Sequence, residues 1–251
     1  MFDLIIKENE KKWLRTNYPT LKIKKDRSGC AKITGMLRFD MVFSPEEESY
    51  VIKPSPEHLT RGQRIQDEYQ IEIIFKNSEH SNLPQVYEKS GRIVVAANNR
   101  KRDLRDLHIN PDLGNAACLC LNTEEGDWFP NGFNIQDFFH NLVIPFFYGQ
   151  AYFEKNGIWP YKEYSHGIYG LLEGYSKTGS ITKEKVREFL DYLRKRKDWP
   201  FLQVRLDPKK EVKGHHFCMC GSSKYFRNCH KEAFRGLWKL KQDAINFRIE
   251  I

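Results

Sequence analysis

Apolar and polar positions alternate with period two in three stretches, residues 31–37, 38–43 and 69–75. Successive side chains leave a strand on opposite faces, so alternation rich in β-branched and aromatic residues predicts half-buried strands. Residues 91–95 form a weaker fourth run, and the polar stretch 44–66 reads as a long loop or turn region. Near the start, Ile5, Ile6, Trp13 and Leu14 lie among charges and predict a helix ending before Tyr18 and Pro19. After Trp128 the period changes. Ile135, Phe138, Phe139, Leu142 and Val143 recur at helical spacing behind Asn134, a suitable cap, and Val186, Phe189, Leu190 and Leu193 mark another helix opened by Ser180 or Thr182. Pro200, Pro208 and the lysine-rich residues 209–213 read as a linker, and a last helix is expected over about 232–246. Helix, four-stranded meander, irregular segment and helices together predict an α+β fold with helices against one antiparallel sheet.

Composition narrows this picture in three ways. The 251 residues are 40% apolar and 14% aromatic, enough for one substantial core and a small appendage. No run of about 18 apolar residues predicts a membrane span. Residues 1–6 carry no basic leader before Lys7, Glu8 and Glu10, so no secretory signal is expected and the expected compartment is the cytoplasm. The net charge of +8 favours acidic partners, nucleic acid among them. Its cations are interleaved with 33 acids, however, and no RRM-like stacking motif is visible, so a solvated basic surface is the favoured reading.

The chemistry is carried by cysteines. Six of them in a reducing compartment point to metal binding or catalysis rather than disulfides. Cys218, Cys220, Cys229 and His230 offer three thiols and an imidazole, a standard tetrahedral zinc set, with Gly221 and Ser222 supplying the turn. His215 and His216 are competing ligands just upstream. Four protein ligands would close the shell, which makes the metal structural. Lys224, Arg227, Lys231 and Arg235 read either as ordinary surface charge or as a tether to nucleic acid or protein. The segment resembles the SEC-C motif at Cys218, Cys220, Gly221, Ser222, Tyr225, Cys229 and His230.

The second cluster, Cys118 and Cys120, lies outside the regular runs, where loop nucleophiles tend to sit. Cys120 is an alternative nucleophile or a redox partner. Around Cys118 the chain resembles the ubiquitin-conjugating enzymes. His108 and Asn110 match the family's His-Pro-Asn, with Ile109 in place of the proline, and Cys118 stands ten residues after His108 with Leu119 behind it. Trp128-Phe129-Pro130 matches a later Trp-x-Pro, after a slightly long gap, while residues 69–75 and 83–87 match the third strand and the segment after that strand. Residues 159–170, with Glu163 and His166, resemble a further segment of divergent bacterial members, those of short type II CBASS antiphage operons.

The resemblance spans roughly residues 1–175. It implies a ubiquitin-conjugating-like domain over 1–175, a helical extension and linker over 176–213, and a zinc module over 214–251. It also implies a thioester on Cys118, with Asn110 as oxyanion donor and His108 mainly shaping the loop. The protein partner implied is a cGAS-like nucleotidyltransferase whose C-terminus is passed to a target amine. Arg100, Lys101, Arg102 and Arg105 are candidates for an electropositive setting, an acidic-partner site or solvated charge. Trp128 and Trp159 read as core aromatics. The alternative is a non-catalytic protein-binding adaptor with a zinc tether.

Overall fold

The computed structural model describes residues 2–25, 29–59, 62–76, 81–120, 124–161, 164–165, 167–218, 220 and 222–251. The chain divides into two compact units, residues 1–162 and 163–251. The first begins with helix α1 (Glu8–Asn17) and continues into strands β1 (Leu21–Lys25), β2 (Ala31–Ser44), β3 (Ser49–Ile52), β4 (Gln63–Ile74) and β5 (Gln85–Glu88). They form one antiparallel sheet in the order β1-β2-β4-β5, with β3 paired to β2. The class is therefore α+β with an antiparallel sheet, as expected.

Alternation sets which face is buried. Ile33, Leu37 and Phe39 of β2 and Ile65, Tyr69, Ile71 and Ile73 of β4 turn into the core. The core is completed by Leu14 of α1 and by a helical rod of α4 (Ile135–Phe138), a π-helical turn Phe139–Val143 and α5 (Ile144–Asn156). Pro145 lacks an N–H and would crowd the Asn141 carbonyl in a regular helix, and the wider π turn just before it relieves that conflict. α5 is apolar nearly all round and buried over most of its length, from Ile144 to Phe153. Glu10 joins α1 to this rod. Its buried carboxylate accepts from the Lys7 amide (2.7 Å) and from the Ile135 amide at the start of α4 (2.8 Å), satisfying donors that helix ends leave open.

Three expectations in this unit need correction. The stretch 44–66 is not only loop and turn: β2 runs to Ser44, turns through its acidic residues and returns as β3, and β4 starts at Gln63. Residues 91–95 are not a strand but open helix α2 (Arg92–Asn99), and the fourth meander strand is β5. Arg92 anchors that helix, with bidentate bonds to Asp67 of β4 (2.8 and 2.7 Å), one to Glu154 of α5 and its guanidinium over the Tyr69 ring. Trp128, at the end of α3 (Glu125–Trp128), is 40% exposed rather than a core aromatic, and its neighbour Phe129 is the buried ring.

The second unit is helical: α6 (Ile168–Lys177), α7 (Lys183–Arg194), α8 (Trp199–Leu206), α9 (Phe226–Cys229) and α10 (Lys231–Asn246). Thr182 caps α7 by accepting from the Lys185 amide. Pro200 does not begin a linker; it sits in the first turn of α8, where its missing N–H costs no hydrogen bond. α6 and α10 cross closely at Gly236, where any side chain would collide with the Leu172 carbonyl. Lys241 of α10 is buried and donates to the carbonyls of Asp207 and Lys210, pinning the turn after α8.

Candidate active site and metal centre

In the first unit, a 3₁₀ turn (Leu104–Leu107), capped by the Asp103 carboxylate on the Arg105 amide, leads into His108. His108 adopts the left-handed conformation (φ 55°), and its ring packs on Trp159 with centroids 4.7 Å apart. Two short strands come next, β6 (Ile109–Asn110) and β7 (Ala116–Ala117), so the segment before Cys118 is a small hairpin rather than irregular chain. Its turn is a 3₁₀ turn from Pro111 closed by Gly114 and Asn115, both left-handed, with the Asn115 amide on the Asn110 carbonyl (3.0 Å). Gly and Asn are the residues that tolerate this conformation.

The ladder extends one pair further, since the Cys118 amide donates to the His108 carbonyl (2.7 Å). Asn110 faces Ala116, so Asn110 and Cys118 are diagonal neighbours across the ladder. That relation holds Cα atoms about 7–8 Å apart in a regular pair. Cys118 is half-buried, with its thiol 3.9 Å from the Cys120 carbonyl oxygen. The Asn110 carboxamide makes no hydrogen bond to any described residue and is partly exposed. His108, Asn110 and Cys118 are thus brought together on one hairpin. Cys120 differs in kind: it packs against the core, and burial, with nearby Glu125, pushes its thiol well above the usual range.

Two of the four upstream cations serve the scaffold. Arg100 donates to the carbonyls of Glu154 and Lys155 at the end of α5, and Arg105 pairs with Asp112 (3.1 Å) and Asp103 (3.6 Å). Sequence reading missed Gln150 of α5, which is buried and donates to the Leu107 carbonyl (2.6 Å), tying the rod to the turn before His108. A lone glutamine inside an apolar helical run was the available signal. Glu163, His166, Leu121 and Gly221 lie outside the described residues.

In the second unit, Cys218, Cys220, Cys229 and His230 bring their ligand atoms within 4.8 Å of one another and could hold a metal ion. Cys218 Sγ is 3.2 Å from His230 Nδ1, and Cys220 Sγ is 3.5 Å from Cys229 Sγ. A tetrahedral zinc with bonds of about 2.0–2.3 Å sets ligand atoms roughly 3.3–3.8 Å apart, so donor set and spacing fit. A tight hairpin builds the site: the Cys218 amide donates to the Lys224 carbonyl (2.7 Å) and the Phe226 amide to the His216 carbonyl (2.9 Å). α9 then carries Cys229 back to the pair. Tyr169 stacks on the His230 ring (4.0 Å, 13°), and its hydroxyl lies 3.6 Å from Cys218 Sγ. These contacts orient the ligands from behind. The Ser222 hydroxyl and amide draw the Cys220 thiol down to about 7, so this exposed ligand is readily deprotonated near neutrality. The rings of His215 and His216 lie beside each other, tilted by 31° with centroids 5.3 Å apart, and are not in the cluster.

No helix among the described residues is long and apolar enough to cross a membrane. In comparison with known proteins, no family model, no curated protein and no solved structure matches the chain.

Proposed function

We propose that the chain is a cysteine acyltransferase of ubiquitin-conjugating type, with Cys118 as nucleophile and a structural zinc held by Cys218, Cys220, Cys229 and His230. The observation that carries this reading is the hairpin on which a half-exposed thiol and an uncommitted carboxamide are diagonal neighbours. The order of helix, antiparallel meander, cysteine hairpin and long helix supports a conjugating-enzyme-like fold for the first unit.

The chemistry comes from the two groups. Thiolate of Cys118 attacks an activated carboxyl carbon, a C–S bond forms, and the activating group leaves. A target amine then attacks the thioester carbon, its N–C bond forms as the C–S bond breaks, the amine proton passes to solvent and thiolate is regenerated. Each attack puts negative charge on the carbonyl oxygen. The Asn110 N–H can donate to that oxyanion, and one such donor is worth about 10²–10³ in rate. His108 shapes the approach through its left-handed turn and does not act as a base. The acyl donor must arrive already activated. The donor this reading assigns is the C-terminus of a cGAS-like nucleotidyltransferase, in cytoplasmic antiphage defence.

The test is a conjugation assay with the partner and its activating enzyme. Cys118→Ser abolishes transfer or arrests it as an oxyester, and Asn110→Ala slows discharge to amine about 10²–10³-fold while the thioester still forms. Normal conjugation by Cys118→Ser refutes the assignment. A folded protein that never loads acyl leaves a protein-binding adaptor in its place.

A further inference from the structure

The division into two units exposes a pattern that the whole-chain composition hides. Residues 1–162 hold 22 Lys and Arg against 22 Asp and Glu, whereas residues 163–251 hold 19 against 11. The entire +8 therefore belongs to the second unit. Within it, residues 212–231 contain no Asp or Glu at all, while Lys213, Lys224, Arg227 and Lys231 are exposed and make no ion pair among the described residues. Three thiolates around one divalent ion would contribute a net −1, so the knuckle stays about +3 with metal in place.

Two further features accompany the charge. Phe217 and Tyr225, paired across the hairpin, stack with centroids 5.7 Å apart and planes 26° apart, yet are 66% and 45% exposed. Neither ring fills a core in this unit. Next to them in the chain, His216 and Lys213 line a cleft of about 510 Å³ together with Arg205, Lys209, Lys210, which pairs with Asp207, and a single acid, Glu211. A flat aromatic platform flanked by unpaired cations matches one ligand chemistry well, a base with its phosphates.

We propose that the cysteine-histidine knuckle and the adjoining cleft bind single-stranded nucleic acid, with a base on the Phe217/Tyr225 platform and phosphates along Lys213, Lys224, Arg227 and the cleft. Base–aromatic stacking is sequence-tolerant, and lysine and arginine track the backbone without reading sequence, so the site is one of low sequence preference. An acidic peptide would satisfy the cations but gives no reason for the exposed stacked rings. The proposal does not depend on Cys118.

The test is fluorescence anisotropy on the full chain with labelled oligouridylate and oligodeoxythymidylate of about twelve nucleotides, a length within the usual site sizes. A duplex of equal length and a polyglutamate peptide serve as comparisons. Both single strands are expected to bind, with log K falling against log salt at a slope of about −2 to −3, as for three or four neutralised phosphates. Phe217→Ala, at a position exposed enough to leave the hairpin folded, should weaken binding about ten-fold with metal content unchanged. Lys224→Gln with Arg227→Gln should flatten the slope by about 1.4. Cys118→Ser should bind as the parent does. Tighter binding of one strand type would identify RNA or DNA as the ligand within the same site. No saturable binding at about 50 mM salt, equal affinity for duplex or polyglutamate, or an unchanged Phe217→Ala affinity would each overturn the proposal.

Discussion

Removing the metal is the perturbation whose size the structure lets one work out. Between Lys213 and His230 the described residues share few stabilising contacts. Seven backbone hydrogen bonds hold the hairpin and α9: the amides of His216, Cys218, Phe226, Arg227, Asn228, Cys229 and His230 donate to the carbonyls of Lys213, Lys224, His216, Gly214, Tyr225, Tyr225 and Phe226 respectively. At about 1 kcal/mol each they contribute roughly 7 kcal/mol net. Phe226, fully buried, adds about 2–3 kcal/mol. Ordering about sixteen residues costs at least about 16 kcal/mol at the low end of backbone entropy. The shortfall of about 6–7 kcal/mol is smaller than the roughly 10–16 kcal/mol that a structural zinc supplies, so metal binding decides whether this segment folds. The knuckle should therefore be folded with metal and unfolded without it. One zinc per chain should be released by a strong chelator or by thiol modification. Trypsin, silent at Lys213, Lys224, Arg227 and Lys231 in the loaded protein, should then cleave there. A cleavage pattern unchanged by chelation, or protein with intact thiols that binds no metal, would rule out a knuckle built on zinc.

Two other outcomes are expected. Maleimide at pH 8 should modify Cys118 at least about ten-fold faster than Cys120, because burial and nearby Glu125 hold the Cys120 thiol protonated; peptide mapping that finds equal rates would contradict this. Burial of Asp67 opposes its ionisation, but hydrogen bonds from Arg92 and the Glu68 amide outweigh it, and the carboxyl titrates below its ordinary value. A depressed folded pKa gives stabilisation that is complete above the unfolded value of about 4 and is lost as pH falls through the folded value. Asp67→Asn should accordingly lose more stability at pH 7 than at pH 3 in urea titrations, and a pH-independent loss would exclude the mechanism.

The elements that sequence reading recovered are those whose pattern and environment agree. Ile33, Leu37, Ile71 and Ile73 alternate because one sheet face is buried, and Val186, Phe189, Leu190 and Leu193 repeat because one helix face is. Residues 91–95 misled because a short apolar run carries no period. What settles it is Arg92 on Asp67 and Glu154, contacts distant in sequence. The β2–β3 hairpin was hidden by its acidic turn, Glu46, Glu47 and Glu48, and the start of β4 by polar residues such as Arg64, whose partner Asp40 lies across the sheet on β2. Spacing alone marked the metal ligands, because a closed hairpin leaves them few other arrangements. At the second site, the residue types were legible, but the hairpin that makes Asn110 and Cys118 neighbours depends on left-handed Gly114 and Asn115, which no periodicity reveals. The separation of charge between the units was invisible until a boundary near 162 was known.

The transferase reading rests on a single sulfur. Its sharpest test is intact-protein and peptide mass spectrometry of the protein purified under acidic, non-reducing conditions from cells that contain its partner. Thioester chemistry at this position predicts an acyl adduct on the Cys118 peptide that hydroxylamine removes and that is absent from Cys118→Ser. An unmodified Cys118 peptide in cells where target conjugates accumulate would contradict it.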